Sequence, residues 1–313
     1  MSQINSAASI IGGNLSILSE DSASVSERRL VQLQELAKQL LRDSSQLFGE
    51  TRVVDFEKLF SEEKTAYGAP GNFRSLLAYE NKTRVFTDRI AVCSFLRDEM
   101  ERMSMSPIEK FIESKPHEGA CSIAYFRNAY ADEAFRIFSD VIENPSAVYA
   151  SDFSSVCEEV YYGRCDMCML PLDSSKDAKL VSFYRLIDKY ELNIICSCDV
   201  TTPDGSVTTR YALLKRGMAV PESEKLDEEN SCFFEFGLTL DGNDTFEEVL
   251  AAANIFGLTL YRMDSIPLTS GDSKVACDLI FKIGNARGIN AFVLYLGLVI
   301  PQYEPIGIYP HIH

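Results

Sequence analysis

The sequence predicts a protein of mixed α+β and α/β class, in which a helical region precedes alternating strands and helices. Apolar residues recur at helical spacing over residues 26–117. From 118 to 217, short apolar strands alternate with amphipathic helices, and residues 231–313 follow the order strand, helix, strand, strand, helix, strand. We therefore predict three structured regions, with a disordered leader over 1–25 and an acidic linker over 218–230.

Composition excludes several classes of partner and cofactor. The formal net charge of −16 repels phosphate backbones, so we expect no nucleic acid partner, although a few local cations would still bind a small anion. No apolar run approaches the roughly 18 residues that span a bilayer, and the N-terminus lacks a basic and apolar signal, so we expect no membrane contact. The nine cysteines lack repeated spacing, which fits a reducing, cytoplasmic location. Two of the three histidines lie at the C-terminal end, so we expect no metal and no cofactor.

The helical region contains two well-marked helices. Ser24 and Glu27 have the spacing of a capping box, and leucine and alanine residues follow them at helical intervals. A second helix carries an apolar stripe from Phe86 to Met103, and Pro107 suits the first position of a third helix. A dimerisation or scaffold role is the interpretation that this region favours.

Strands and helices alternate over residues 118–217. The predicted strands are 121–125, 147–150, 168–172, 192–198 and 208–215, and the predicted helices are 131–140, 153–162 and 180–190. Asp204 and Gly205 signal a tight turn between the last two strands. This alternation is typical of an α/β layer with a mostly parallel sheet.

The last region has the pattern of a four-stranded antiparallel sheet with two helices on one face. Its predicted strands are 232–240, 258–265, 275–283 and 305–309, and its predicted helices are 245–256 and 286–296. Asp244 stands where the first strand gives way to its helix and suits the N-cap position.

Several motifs appear in a fixed order and together resemble those of one enzyme family. They are SIAYFRNAYADEAF at 122–135, DF at 152–153, GRCDMCMLPLDSS at 163–175, TTRYALL at 208–214, DSIP at 264–267 and IGIYP at 306–310. Over residues 120–313 the chain thus resembles prephenate dehydratase with its C-terminal ACT domain. The resemblance implies a periplasmic-binding-protein-like α/β lobe and a βαββαβ ACT-like domain. It also implies conversion of prephenate to phenylpyruvate, water and carbon dioxide in phenylalanine biosynthesis.

The chain departs from this family at several positions. The predicted strands 192–198 and 208–215 are separated only by residues 199–207. The family places most of a second lobe between the corresponding strands, so we predict a reduced α/β lobe. FRNAY at 126–130 replaces a glycine-rich substrate loop, and Ser174 replaces an asparagine. In the ACT-like region, NDTF at 243–246 replaces a Gly-Ala-Leu turn and Ile266 replaces a ligand-binding arginine. These departures leave open a second function, that of a non-catalytic sensor or regulatory subunit.

The resemblance implies roles for residues near the end of the α/β region. In the family, a threonine placed as Thr209 protonates the leaving hydroxyl of prephenate as carbon dioxide departs. Ser174, Ser175, Thr208 and Arg210 would then bind the small anionic substrate. The alternative is that Thr209 is a β-forming residue in an edge hairpin, because a substrate cleft needs two walls.

The resemblance also implies an allosteric site in the ACT-like region, formed by Asn243, Asp244, Asp264 and Ser265. Its expected ligand is an amino acid, although the departures here favour an assembly role over the phenylalanine switch of the family. An isolated four-stranded sheet leaves an edge strand unpaired, so we expect a homodimer through the ACT-like regions.

Two further sites stay open. Cys165, Cys168, Cys196 and Cys198 would suffice for a zinc site, although cysteines within apolar strands are ordinarily core residues. The helical region occupies the place where fused enzymes of this family carry a chorismate mutase. That activity needs several cations on neighbouring helices, and the candidates are Arg28, Arg29, Arg42, Lys58, Arg74 and Arg89.

Overall fold

The computed structural model of the chain describes residues 20–42, 74–108, 121–176, 178–227, 232–240, 243–267, 275–300 and 303–312. The helices are α1 (Glu20–Arg42), α2 (Arg74–Arg102), α3 (Ala129–Ser139), α4 (Phe153–Tyr161), α5 (Val181–Lys189), α6 (Ser223–Leu226), α7 (Asn243–Ile255) and α8 (Ala286–Val299). The strands are β1 (Cys121–Phe126), β2 (Pro145–Ala150), β3 (Met167–Ser174), β4 (Ala178–Lys179), β5 (Leu192–Thr201), β6 (Thr208–Arg216), β7 (Cys232–Leu240), β8 (Leu258–Pro267), β9 (Val275–Ile283) and β10 (Glu304–Ile312). No helix in these ranges is both long and apolar enough to cross a bilayer.

The chain divides into two compact units, each assembled from separate stretches of sequence. The first comprises residues 1–107, 242–257 and 287–303, and the second comprises the remaining three stretches, 108–241, 258–286 and 304–313. Helices α1, α2, α7 and α8 thus belong to the first unit, and the ten described strands belong to the second with α3 to α6. The domain boundaries expected from the sequence follow chain order, and they stay a prediction.

Polar and aromatic contacts join the helices of the first unit. Arg29 on α1 donates a hydrogen bond to Asp88 on α2 over 2.8 Å. Arg89, also on α2, pairs with Glu248 on α7 at 3.2 Å. The fully buried ring of Tyr295 on α8 meets a phenylalanine ring of α2 edge to face, with 6.2 Å between ring centroids. The helices of the C-terminal region therefore pack with those of the N-terminal region.

The start of α1 corrects two expectations for the N-terminal region. α1 begins at Glu20, so residues 20–25 of the predicted leader are helical and Ser24 lies inside the helix instead of at its cap. Residues 1–19 lie outside the described residues. Of the third helix predicted at Pro107, only Pro107 and Ile108 are described.

The described strands of the α/β region form two parallel pairs and three antiparallel pairs. β1 pairs in parallel with β2 and β3. β6 runs antiparallel to both β3 and β5, so the expectation of a mostly parallel sheet is wrong. The physical reason is that residues 202–207 are too few for a crossover connection and force β5 and β6 into a hairpin. Because β6 lies between β3 and β5, it is an interior strand and not an edge.

The βαββαβ order predicted for the C-terminal region is confirmed, and its strands pair antiparallel in the order β10-β7-β9-β8. β10 also pairs in parallel with β5, so one sheet runs β2-β1-β3-β6-β5-β10-β7-β9-β8. Gly307 stands at this junction, where a Cβ atom would lie 2.5 Å from the carbonyl oxygen of Ile194. Glycine therefore allows β10 to approach β5 this closely.

The two faces of the sheet in the α/β region carry separate cores. Helix α3 packs on one face through Ala131, Ala134 and Phe138, against side chains that include Tyr211. Helices α4 and α5 pack on the other face, where Tyr309 of β10 joins their core. Burial on both faces explains why the central strands are almost continuously apolar in sequence.

Candidate functional site

The carboxyl ends of β1, β2 and β3 share one edge of the sheet, which is where α/β proteins usually bind ligands. Two helices begin at this edge. The side chain of Asn128 accepts hydrogen bonds from the backbone amides of Tyr130 and Ala131 and caps α3. Asp152 caps α4 by accepting from the amide of Ser155. Both caps follow a strand directly, so the sequence alone favours a helix start at each of these points.

Thr209 and Ser174 stand opposite each other across β6 and β3. On its other side Thr209 faces Val200 of β5, which belongs to the core beneath α3. Opposed residues of antiparallel strands point to the same face, so Thr209 and Ser174 lie on the face that α3 covers. Both side chains are partly exposed, whereas Tyr211, two residues further along β6, is buried. The structure therefore brings this predicted pair together at the carboxyl edge.

Tyr211 connects this face with the start of α3. Burial raises the pKa of the Tyr211 phenol to about 12, while a hydrogen bond with Asn128 acts in the opposite direction. The phenol is therefore protonated at neutral pH. Sequence reasoning missed Asn128, although an asparagine between a strand and a helix is a recognisable capping signal.

Ser175 and Thr208 hold the end of β3 against the start of β6. The amide of Thr208 donates to Ser175 Oγ over 2.9 Å, and the amide of Ser175 donates to the carbonyl oxygen of Thr208 over 2.8 Å. The hydroxyl oxygens of Thr208 and Thr201 lie 2.9 Å apart. These contacts give both residues a structural task, and their part in substrate binding stays a prediction.

Arg210 lies on the face opposite Thr209, because neighbouring residues of a strand point to opposite sides. Its Nε donates to Asp199 Oδ1 over 3.1 Å and its Nη2 donates to Tyr261 Oη over 3.2 Å. Asp173 Oδ2 lies 3.9 Å from its Nη1, and only 12% of the Arg210 side chain is exposed. The structure therefore does not bring Arg210 together with Thr209 on one surface.

A second arginine extends the charged network on the Arg210 face. Arg262 of β8 donates to Asp173 of β3 over 3.0 Å and pairs with Asp264 at 2.8 Å. β8 stands at the far end of the strand order, so this contact requires the sheet to curve back on itself. His311 completes the network, with its Nε2 3.5 Å from Asp199 Oδ2.

The pKa values of the network follow from burial and from these ion pairs. Burial raises the pKa of Asp199, but hydrogen bonds from His311 and Arg210 outweigh it and lower that pKa to about 2. Burial lowers the pKa of Arg210, yet its contacts with Tyr261 and Asp199 raise it overall. Burial raises the pKa of Asp173 in spite of the two neighbouring arginines. Asp199 and Arg210 are therefore both charged at neutral pH and neutralise each other.

A buried carboxylate lies deeper on the same face. Glu235 of β7 is fully buried and accepts a hydrogen bond from Tyr309 Oη over 2.6 Å. Tyr184 of α5 also forms a side-chain hydrogen bond with Glu235. A single glutamate within the apolar strand Cys232–Leu240 is the sequence signal for this group, and sequence reasoning passed over it.

An exposed arginine follows β1 at the carboxyl edge, and sequence reasoning missed it as well. The Nε of Arg127 lies 3.4 Å from Asp132 on α3, and its guanidinium lies 4.8 Å from the centre of the Tyr149 ring. Asp132 also accepts a hydrogen bond from Tyr125 Oη over 2.9 Å. Tyr125 belongs to the core beneath α3 and stands opposite Tyr149, so Arg127 lies on the face of Thr209.

The four residues of the predicted allosteric site fall on two elements. Asn243 and Asp244 begin α7 in the first compact unit, and Asp264 and Ser265 lie on β8 in the second. The side chains of Asn243, Asp244 and Ser265 lie outside the described residues. Asp264 pairs with Arg262, and an amino-acid ligand for this set stays a prediction.

The four candidate zinc cysteines do not come together. Cys165 and Cys168 belong to the core beneath α4 and α5, whereas Cys196 and Cys198 belong to the core beneath α3 on the opposite face of the sheet. Burial raises the pKa of the last two thiols to about 12. Within the described ranges, no cluster of His, Cys, Asp and Glu has the arrangement of a metal site.

The cations proposed for a mutase site are partly engaged by carboxylates. Arg29 pairs with Asp88, and Arg89 pairs with Glu248. Arg28 is exposed on α1. The side chains of the other three candidates, Arg42, Lys58 and Arg74, lie outside the described residues. The described part of the first unit therefore uses two of these cations to join its helices.

Solved structures with a similar fold include prephenate dehydratases. The prephenate dehydratase of Streptococcus mutans has 16% sequence identity and a TM-score of 0.50, over 62% of this chain and 100% of its own. GqqA, described as a novel type of quorum-quenching acylase, has 18% identity and a TM-score of 0.48, over 61% of this chain and 96% of its own. The prephenate dehydratase of Arthrobacter aurescens in complex with L-Phe has 13% identity and a TM-score of 0.47, over 60% and 90%. No protein-family model and no curated protein matches the sequence. The chain therefore has a divergent prephenate dehydratase-like fold.

Proposed function

We propose that this chain is a lyase of the prephenate dehydratase type, in which Thr209 protonates the leaving hydroxyl of prephenate. The observation that carries the proposal is the position of Thr209 opposite Ser174, at the carboxyl edge of the sheet and on the face that α3 covers. The fold that the chain shares with the Streptococcus mutans prephenate dehydratase supports this proposal.

The proposed reaction needs few catalytic groups. Prephenate takes up one proton on its ring hydroxyl, and the C–O bond breaks to release water. The bond to the ring carboxylate breaks as well, and its electron pair enters the ring, so carbon dioxide leaves and phenylpyruvate forms. The aromatic product supplies much of the driving force, so the protein must orient the ring and deliver one proton. Thr209 would donate this proton and regain it from water at the exposed edge.

In this proposal, the first turn of helix α3 would form the wall that faces the strands. The hydrogen bond between Tyr211 and Asn128 places the first turn of α3 beside β6. The substrate ring would lie between this turn, the end of β3 and the start of β6, close to Thr209 and Ser174. A cleft needs two walls, and in this chain residues 202–207 join β5 to β6 where the family has most of a second lobe. The first turn of α3 would provide the second wall instead.

Turnover of prephenate by the purified full-length chain tests the proposal. Phenylpyruvate would be followed by its absorbance in alkali. Thr209→Val keeps the shape and β propensity of the side chain but removes its proton, so we expect kcat to fall about 100-fold or more. The matched control is Thr259→Val, at an exposed position on β8. Absence of turnover in the wild type, or equal turnover in Thr209→Val, would contradict the proposal.

A second candidate function, that of a non-catalytic sensor, stays open as an alternative. Residues 202–207 connect β5 directly to β6, so this region lacks the long segment that forms most of a second lobe in the family. An inactive wild type whose melting temperature rises with phenylalanine, tyrosine or tryptophan would support the sensor. Expectations of a homodimer, of a cytoplasmic location and of a place in phenylalanine biosynthesis stay predictions.

A further inference from the structure

We propose that Arg127 binds a carboxylate group of the substrate at the Thr209 edge, a task that the sequence assigned to Arg210. The inference rests on the proposed function, which supplies the substrate class, a small cyclic dicarboxylate. It assigns a specificity-determining role to a residue in the loop that replaces the family's substrate loop.

The surroundings of Arg210 remove it from this task. Its guanidinium contacts Asp199 and Tyr261 on the face opposite Thr209, and its side chain is 12% exposed. A ligand carboxylate would have to displace Asp199, whose ionised form is itself stabilised by Arg210 and His311. An anion at the Thr209 edge therefore needs a different cation.

Arg127 meets the requirements of face, edge and exposure. It follows the carboxyl end of β1, and its guanidinium lies over Tyr149, which shares the face of Tyr125 and of the core beneath α3. β3 alone separates β1 from β6, so two strand spacings, roughly 10 Å, separate these strands. The pairing of Ala124 with Cys168 places Arg127 level with Pro171, three residues before Ser174 on β3, so the gap to Thr209 has a component along the strands as well. The length of the arginine side chain and that of a dicarboxylate together span such a gap, with the substrate ring held at Thr209.

The Arg127 guanidinium is held in place before any ligand binds. Asp132 accepts from its Nε, Tyr149 lies beneath its plane, and Tyr125 fixes Asp132 from the other side. In the part of the chain that the structure describes, these contacts leave both Nη groups for a bidentate bond to a carboxylate. With 62% of the side chain exposed, a ligand can reach the fork, and little side-chain entropy remains to be lost.

Two substitutions and one control test this role. Arg127→Ala removes the fork, and Arg127→Lys keeps the charge without bidentate geometry. Arg136→Ala is the matched control, because Arg136 is an equally exposed arginine near the other end of α3 and pairs with Glu133. The measurements are kcat and KM for prephenate, the affinity for phenylpyruvate by calorimetry, and the thermal unfolding of each variant.

We expect Arg127→Ala to raise KM about 10-fold to 100-fold and to weaken phenylpyruvate binding by a similar factor, with kcat changed less. Arg127→Lys should recover part of this loss, and Arg136→Ala should behave as the wild type. The melting temperature should stay within about 2 °C of the wild type in all three variants, because the replaced ion pairs are exposed.

The outcomes separate this inference from the proposed function. Wild-type turnover with an unchanged KM in Arg127→Ala overturns the role of Arg127 and leaves the lyase standing. An inactive wild type that binds phenylpyruvate, with binding lost in Arg127→Ala, overturns the lyase and supports the carboxylate site. An inactive wild type that binds no phenylpyruvate overturns both.

Discussion

The two faces of β6 differ in what their polar groups contact. On one face, Arg210 is surrounded by the carboxylates of Asp199 and Asp173 and by the phenol of Tyr261. On the other face, the hydroxyls of Thr209 and Ser174 lie at a partly exposed edge above a buried tyrosine. Charges that neutralise one another stabilise a fold, whereas exposed hydroxyls remain available to a ligand. Thr209 and Arg210 are neighbours in one motif, yet Arg210 stabilises the fold and Thr209 remains accessible to a ligand.

The largest expected effect is on the Arg210 face. Arg210→Ala removes a largely buried cation between Asp173, which is 18% exposed, and Asp199, which is 36% exposed, so we expect the free energy of unfolding to fall by about 2 kcal/mol. Urea denaturation followed by circular dichroism measures this change. Arg210→Lys should recover part of the loss. Arg136→Ala, which breaks an exposed pair, should leave the free energy of unfolding nearly unchanged.

A loss below about 1 kcal/mol in Arg210→Ala would contradict the assignment of Arg210 to structure. Arg210 would then be free to serve a ligand, and the contrast between the two faces would disappear.

The next effect concerns pH, through Asp199. Its pKa is about 2 in the folded chain, against an ordinary value of 3.8, so ionised Asp199 stabilises the fold. This contribution is complete above about pH 5 and is lost as the pH falls through 3.8 toward 2. The side chain is 36% exposed, so screening limits the contribution to about 1 kcal/mol.

Asp199→Asn lacks this pH-dependent contribution, and urea denaturation at pH 5 and at pH 3 measures it. We expect the stability difference between the wild type and Asp199→Asn to shrink between these two pH values. The control is Asp188→Asn, at an exposed position on α5. If the stability difference between the wild type and Asp199→Asn is the same at both pH values, the contacts with Arg210 and His311 do not lower the pKa of Asp199.

Local sequence signals predicted most strands and helices of the second unit. The spacing of apolar residues and the turn at Asp204 and Gly205 placed β5 and β6 within a few residues of their observed ends. The expected sheet was mostly parallel because the alternation of strands and helices was extended to β5 and β6. These two strands have no helix between them, and β6 runs antiparallel to β5. The βαββαβ order was confirmed because each of its elements has its own periodicity.

Contacts between residues far apart in sequence escaped prediction. Arg262 meets Asp173 only because the sheet curves back, and that curvature depends on the pairing of β10 with β5. Helices α7 and α8 belong to one compact unit with α1 and α2, and no local sequence pattern predicts this grouping. The motif around Thr209 indicated a strand, which is confirmed as β6, but alternation within this strand places Arg210 on the face opposite Thr209. Arg127 was missed because its loop was read only as a departure from a known pattern.

The smallest expected effect on stability is at the Thr209 edge, and it provides the sharpest contrast with Arg210. Ser174 Oγ accepts one hydrogen bond, from the amide of Lys176 at 3.2 Å, so Ser174→Ala should cost about 0.5 kcal/mol of unfolding free energy. If Ser174 also contacts the substrate, KM for prephenate should rise about 3-fold to 10-fold. Ser182→Ala, at an exposed position on α5, is the control for both measurements. A stability loss comparable with that of Arg210→Ala, with KM unchanged, would make both faces of β6 structural and would remove the support for a substrate site at this edge.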